Sequence, residues 1–277
     1  MDSLNSADGG CLHLHHWPAP GPAHGMVQIV HGLGEHMGRY AQVAAALNAA
    51  GWHVAGHDHR GHGRSSGPRG SLPADDTLLA DLATVMDHLR GPGRHVLLGH
   101  SMGGLVAARF VAEALASAPA AWCRPVDGLV LSSPALDAGL GAAQTLLLKV
   151  LGPLAPDLRL SNGLDASWVS RDAQVVQAYR ADPLVHDRVT PRLVRFIVQG
   201  GRRVQAAAPR WQVPTLLMWA GADRCVAAAG SAAFAAAAPP GVLQAEPLAG
   251  LYHEILNEPE HDQVLALLSR WLARFAA

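Results

Sequence analysis

A serine between glycines is the first feature of the chain that can do chemistry. The stretch 99–103, Gly-His-Ser-Met-Gly, has the spacing G-x-S-x-G, and it lies between a short apolar run at 95–98 and an apolar helical pattern at 102–115. Small flanking residues permit a sharp strand-to-helix turn, which lifts the serine hydroxyl clear of the backbone at a helix N-terminus. The pattern predicts Ser101 as a nucleophile; an ordinary tight turn is the alternative.

A serine hydroxyl is a weak nucleophile, and it needs a histidine base that a carboxylate orients. In strand–turn–helix sites of this kind the chain order is serine, acid, histidine. After the strand pattern at 213–219 stand two histidines, His253 in a loop and His261 inside the last helical pattern. We therefore expect His253 to be the base and Asp223, which follows that strand, to be the acid. Alternatively, His253 is a histidine of a surface loop and Asp223 is a helix N-cap. Asp182 is the alternative acid, although no strand precedes it.

Acyl transfer builds up negative charge on an oxygen, and backbone N–H groups are suited to stabilise it. We expect one donor at Met102, which follows the nucleophile, and another at Leu33 in the glycine-containing loop 31–34. The alternative is that the loop contains these glycines because its turn requires them.

Histidines at 57, 59 and 62 surround Asp58 and raise the question of a metal site. Their spacing is not that of a common metal motif, and no further cysteine or carboxylate cluster completes it. We therefore expect no metal and no cofactor.

Short apolar strands alternate with helical patterns up to about residue 135, and the alternation returns after residue 211. Between these points the sequence shows helical segments and loops but no clear buried strand. The pattern predicts an α/β fold with a mostly parallel, doubly wound sheet. We expect a core formed by 1–135 and 212–277 and a helical cap formed by 136–211.

Composition narrows the function classes. The 277-residue chain has a net charge of −1, which gives it no general attraction for nucleic acid. Its start lacks a basic segment followed by an apolar one, and no apolar run is long enough to cross a bilayer. The three cysteines form no CxxC pair. These features favour a cytoplasmic protein.

Six motifs together resemble the monoacylglycerol lipases, a family of serine hydrolases with the α/β-hydrolase fold. They are the stretch H-G-x-G-E-H-x-G-R-Y at 31–40, D-H-R-G-H-G-R-S at 58–65, G-H-S-M-G-G at 99–104, Y-R-A-D-P-L at 179–184, G-A-D-R at 221–224 and Y-H at 252–253. The serine motif is shared by many hydrolases, whereas the first and fourth are far more specific. The resemblance covers nearly the whole chain.

The resemblance implies that Glu35, Arg39 and Tyr179 bind a glycerol headgroup. A structural salt bridge or a contact between cap and core is the alternative for Glu35 and Arg39. Some members of the family have a second histidine three residues after the base, where this chain has Leu256. That difference leaves the headgroup preference open.

The implied activity is hydrolysis of monoacylglycerols or similar single-chain esters through an acyl-enzyme on Ser101. Lysophospholipase and general carboxylesterase activities are the nearest alternatives. An aminopeptidase would need acidic residues in the cap, and Asp172, Asp182 and Asp187 are present. A ligand-binding protein without activity is a further alternative. Dehalogenases and epoxide hydrolases need aspartate where Ser101 stands.

The segment 140–151 predicts a cap helix with an unusually wide apolar surface, interrupted by few polar residues. Such a helix is either covered by its neighbours or meets lipid or a second subunit on its outer side. We expect whichever of Leu147 and Leu148 is exposed to touch a lipid aggregate.

Overall fold

An eight-stranded sheet crosses the middle of the computed structural model, which describes residues 3–276. Its strand order is β1-β2-β4-β3-β5-β6-β9-β10; β2 is antiparallel to both of its neighbours, β1 and β4, and every other neighbouring pair is parallel. The strands are β1 Ser3–Asn5, β2 Cys11–Trp17, β3 Gly25–Val30, β4 His53–His57, β5 Arg94–His100, β6 Gly128–Ser132, β9 Thr215–Ala220 and β10 Leu243–Leu248. A separate antiparallel pair consists of β7 Leu160–Ser161 and β8 Arg188–Val189.

Within residues 3–276, eight α-helices surround the sheet and its connections. They are α1 Ala41–Ala49, α2 Thr77–Leu89, α3 Met102–Glu113, α4 Ala142–Leu154, α5 Ala173–Ala181, α6 Pro191–Ala207, α7 Ala228–Ala237 and α8 His261–Leu272. Five 3₁₀ turns lie at Met37–Tyr40, Ala166–Trp168, Ala208–Arg210, Ile255–Asn257 and Ala273–Phe275. No helix in the described range is both long enough and apolar enough to span a membrane.

The central strands are apolar on both faces because helices cover both faces. In β5, Leu97 packs into a cluster with α2, α3 and α6, while Val96 and Leu98 pack into a second cluster with α1 and α8. Alternate side chains of a strand point to opposite faces. The buried run at 96–98 is therefore the signature of a doubly covered parallel strand, and the predicted sheet is present.

The segment between β6 and β9 holds α4, α5, α6 and the short pair β7–β8. The sequence pattern predicted no strand in this segment; with two residues each, β7 and β8 are too short to leave a pattern. Helix α6 packs against α3, and its Leu193 and Val204 belong to the same apolar cluster as α3. The division at 136 and 211 stays a prediction.

Two helix starts bear on residues near the site. A 3₁₀ turn at Met37–Tyr40 precedes α1, which starts at Ala41, and the His36 side chain caps that turn by accepting a hydrogen bond from the Gly38 N–H. The last helix starts at His261, two residues after Pro259.

Candidate active site

Ser101 sits on a strained turn between β5 and α3. Its φ is +53°, a left-handed conformation that side chains other than glycine rarely adopt. A Cβ atom at Gly99 would lie 2.5 Å from the Gly103 carbonyl oxygen, and one at Gly103 would lie 2.0 Å from that of Val30. Both glycines are therefore required for the close packing of α3 against the sheet.

The structure brings together the three side chains that the chain order selected. Nε2 of His253 lies 2.8 Å from Oγ of Ser101, and Nδ1 of His253 lies 2.7 Å from Oδ2 of Asp223. The carboxylate can only accept, so Nδ1 carries the proton and Nε2 is left to accept the serine proton. This hydrogen-bonded chain can deprotonate Ser101 when an ester carbonyl is present.

Backbone N–H groups as well as His253 fix the position of the Asp223 carboxylate. Its Oδ1 accepts hydrogen bonds from the N–H groups of Cys225 and Val226, at 2.8 and 3.0 Å. Burial opposes the ionised form, but His253 and these two N–H groups outweigh it and lower the pKa of the carboxyl. These two bonds lie in the loop before α7, whose N-cap is Ala227, so Asp223 is not the N-cap of that helix.

The two rival residues are engaged elsewhere. His261 lies at the first residue of α8, and its Nδ1 is 2.9 Å from the carbonyl oxygen of Glu258. Asp182 directly follows α5, and its carboxylate lies 2.8 Å from Nε2 of His36. Neither is brought to Ser101.

Leu33 and Met102 both line the cavity beside Ser101. Within residues 3–276 neither of their N–H groups has an acceptor, as expected of donors kept free for a substrate oxygen. The Leu33 peptide is fixed by His31, whose Nδ1 lies 2.8 Å from the Gly32 carbonyl oxygen. Nε2 of His31 accepts from the His59 N–H, so the imidazole is neutral, with its proton on Nδ1. Burial lowers the pKa of His31 accordingly.

The three expected headgroup residues form one network, together with a fourth residue that the sequence reasoning missed. Arg39 bonds to Glu35 and, through both Nη atoms, to Glu254. The Tyr179 ring lies 4.7 Å from the guanidinium. The sequence indicates Glu254 only weakly, as a single glutamate that directly follows the expected base, His253. Leu256 is buried in the core, so it makes no headgroup contact.

The histidines considered for a metal site are buried in the protein. His57, His59 and His62 are fully buried, with ring centroids 5.3 Å apart for the first two and 6.1 Å for the last two. Their ring nitrogens do not converge on one point: in the described chain, the side chains close enough to share an ion are Asp223, Cys225 and His253. Burial, together with the Asp223 charge, raises the pKa of Cys225, so this thiol is neutral.

The cavity over Ser101 has a volume of about 400 Å³, which suits a small ligand. The loops around Ser101 and the segment between β6 and β9 both line it, with apolar and with polar side chains. The apolar lining includes Ala138, Leu140, Val189, Val194, Ile197 and Val226, and the polar lining includes Glu35, Tyr179, Asp182 and Glu254.

Known proteins resemble this chain over nearly its full length. A family described as serine aminopeptidase, S33, matches residues 21–260. A monoacylglycerol lipase of Mycolicibacterium smegmatis is 36% identical, over 92% of this chain and 90% of its own. The phospholipase YtpA of Bacillus subtilis is 30% identical, over 90% of this chain and 94% of its own.

The crystal structure of a monoacylglycerol lipase from Paleococcus ferrophilus superposes with a TM-score of 0.85 at 32% identity. The superposition covers 95% of this chain and 99% of that one. The predicted α/β-hydrolase fold and the resemblance to the family are thereby confirmed. The chain belongs to the monoacylglycerol lipase-like serine hydrolases, and it is an enzyme of the α/β-hydrolase fold.

Proposed function

We propose that this enzyme hydrolyses monoacylglycerols and similar single-chain esters to a fatty acid and an alcohol. The observation that carries the proposal is the chain of hydrogen bonds Ser101–His253–Asp223, which lies beside a cavity lined by both apolar and polar side chains. The apolar side chains suit an acyl chain, and the polar side chains suit a small polyol. The names of the relatives support the same substrate class.

In the first half of the reaction, Nε2 of His253 takes the proton of Ser101 as Oγ attacks the ester carbonyl. The N–H groups of Leu33 and Met102 stabilise the oxyanion. His253 then gives its proton to the leaving alcohol oxygen, and the acyl group stays on Ser101. In the second half, His253 deprotonates a water molecule, which releases the fatty acid and restores the serine. No cofactor takes part.

We further place the enzyme in the cytoplasm, with α4 touching lipid aggregates. Leu146 and Leu147 of this helix are 64% and 52% exposed, and Val150 and Leu154 extend the apolar surface. Exposed apolar side chains at this density are suited to a lipid interface.

A substrate panel tests the proposal. Purified enzyme is given monoacylglycerols of several chain lengths, di- and triacylglycerols, lysophospholipids and aminoacyl amides, with the Ser101→Ala variant as control. We expect hydrolysis of monoacylglycerols and a loss of several orders of magnitude in kcat for Ser101→Ala at an unchanged melting temperature. A variant that keeps more than about a tenth of wild-type kcat contradicts Ser101 as the nucleophile.

Aminopeptidase activity is the second candidate, favoured by the acidic side chains that line the cavity. Asp182 pairs with His36, Asp172 accepts from the Gln174 N–H, and Asp187, which lines the cavity, pairs with Arg188 at 3.2 Å. Turnover of aminoacyl amides faster than of monoacylglycerols supports this candidate over the first.

A further inference from the structure

The guanidinium of Arg39 is bonded to two glutamates that line the cavity. Its Nη1 donates to Oε2 of Glu35 and to Oε1 of Glu254, and its Nη2 donates to Oε2 of Glu254, all at 2.7 Å. The Tyr179 ring covers it, and its side chain is only 12% exposed. Arg39 is absent from the described residues that line the cavity, whereas both glutamates are among them. A headgroup in the cavity therefore meets the carboxylates first.

The two carboxylates have acceptor positions to spare. Each carboxylate oxygen can accept about two hydrogen bonds. Oε1 of Glu35 already accepts from the Gly32 N–H and the Tyr40 hydroxyl, and Oε2 of Glu254 accepts from Arg39 and a side-chain amide. Oε2 of Glu35 and Oε1 of Glu254 each have one donor in the described chain, and it is the same nitrogen, Nη1 of Arg39. Two 2.7 Å bonds to one nitrogen keep these oxygens less than 5.4 Å apart, close enough for two hydroxyls of one polyol.

The lining carboxylates leave a net negative charge even when the guanidinium groups of Arg39 and Arg188, which pair with them, are counted. Among the described residues that line the cavity, the carboxylates outnumber the guanidinium groups by five to one. That guanidinium, of Arg180, lies at the exposed side of the cap and pairs with a carboxylate of the same lining at 3.4 Å. The five carboxylates are those of Glu35, Asp165, Asp182, Asp187 and Glu254.

Reaction chemistry places the alcohol half of the substrate beside these carboxylates. The leaving oxygen receives its proton from Nε2 of His253, so the alcohol must lie on the His253 side of the scissile bond. Glu254 is the next residue in the chain, and it lines the same cavity. The fixed charge of Glu254 therefore acts on the headgroup rather than on the acyl chain.

We infer that Glu254 is a specificity-determining residue, which together with Glu35 accepts hydrogen bonds from a neutral polyol headgroup and repels a headgroup that carries phosphate. The inference rests on the proposed function and narrows it. Hydroxyls can donate to both free oxygens, whereas a phosphate brings only acceptors and negative charge into a partly buried, already anionic site. Lysophospholipids are then poor substrates.

The test compares 1-decanoylglycerol with 1-decanoylglycerol 3-phosphate, both kept below their aggregation concentrations. They share the acyl chain and the scissile ester and differ in the headgroup. We expect wild-type kcat/KM to favour the neutral ester by about a hundredfold or more, and Glu254→Gln to reduce that preference by about tenfold or more. Because a ratio is measured within each variant, a general loss of activity in Glu254→Gln cancels. The Asp165 side chain is 53% exposed, so solvent and salt screen its charge, and Asp165→Asn should leave the ratio within about threefold.

Wild-type enzyme gives a second readout that needs no variant. Raising the salt concentration from about 20 to about 500 mM screens charge repulsion, so kcat/KM for the phosphate ester should rise severalfold while that for the neutral ester stays constant. Equal use of both esters by the wild type overturns the inference, and so does a ratio that Glu254→Gln leaves unchanged. Failure to cleave either ester, with cleavage of aminoacyl amides, instead overturns the proposed function.

Discussion

The imidazole of His31 donates a hydrogen bond to the carbonyl oxygen of Gly32, at 2.8 Å. This carbonyl belongs to the peptide unit whose N–H is that of Leu33, the proposed oxyanion donor. One hydrogen bond therefore fixes the direction in which that N–H points. The other ring nitrogen also holds the imidazole in place, because Nε2 accepts a hydrogen bond from the His59 N–H.

Replacing His31 by alanine should lower kcat for a soluble nitrophenyl ester about 10- to 100-fold while KM changes little, because a misaligned donor acts on the transition state. His31→Asn keeps an N–H near the position of Nδ1 and should recover part of the loss. Kinetics and melting temperatures of both variants check this. A rise in KM at constant kcat contradicts the positioning role.

Replacing His253 by alanine should abolish esterase activity about as completely as Ser101→Ala, because the nucleophile then has no base. His261→Ala is the matched control and should stay near wild type, since its ring faces the Glu258 carbonyl oxygen. Steady-state rates on a soluble ester decide between them. The opposite outcome would assign the base to His261.

Asp223→Asn should hurt less than His253→Ala, because the carboxylate orients the imidazole and stabilises its charge without transferring a proton. The amide can still accept from the Cys225 and Val226 N–H groups. We expect a loss of roughly 10²- to 10⁴-fold in kcat at a melting temperature close to wild type. A loss equal to that of His253→Ala argues for a larger role of the carboxylate.

Buried neutral histidines should make the protein sensitive to mild acid. Burial lowers the pKa of His57 to about 3 and those of His100 and His186 to about 4, against 6.5 for an ordinary imidazole. Below about pH 6.5 the unfolded chain therefore binds protons that the folded protein does not. The free energy of unfolding should fall as the pH drops from about 6.5 to about 4, by up to ~1.4 kcal/mol per pH unit for each group.

His57 offers a clean test of this pH dependence, because within residues 3–276 neither of its ring nitrogens has a hydrogen-bond partner. His57→Leu should lower the number of protons bound on unfolding at pH 5 by about one. Urea unfolding at pH 7.5, 6 and 5 measures it, with the exposed His88→Gln as control. An unchanged slope for His57→Leu contradicts the burial argument.

Leu147 is the exposed member of the pair singled out in the cap, since Leu148 is half-buried. Leu147→Asp should raise KM for micellar long-chain monoacylglycerol and leave kcat/KM for a soluble short-chain ester within about threefold. Ala233→Asp, at an exposed position of α7, controls for an added surface charge. Equal loss of both activities would mean that Leu147 supports the fold.

Local sequence patterns were sufficient to predict the strand, the turn and the helix around the nucleophile. The strand, the glycines of the turn and the helix after Ser101 lie within about twenty consecutive residues, so the pattern predicts both fold and position. Chain order then selected Asp223 and His253, which the structure brings to Ser101, although their roles stay predictions. Each of these residues follows or precedes a recognisable strand or helix.

Glu254 could not be found in this way. Its partner Arg39 is 215 residues away, and the contact exists only because the loops after β3 and β10 meet above the same edge of the sheet. The pairing of His36 with Asp182 was missed for the same reason, since it joins core and cap over 146 residues. Long-range ion pairs leave no periodicity in the sequence.

Gly34 connects the cap to the loop that carries Leu33. Its carbonyl oxygen accepts the His186 N–H, its φ is +78°, and a Cβ there would lie 2.3 Å from the His186 carbonyl oxygen. If the segment that carries His186 moves outward, it must break this hydrogen bond and free the loop two residues beyond Gly32. Variants of that segment designed to accept bulkier esters should therefore change turnover as well as selectivity.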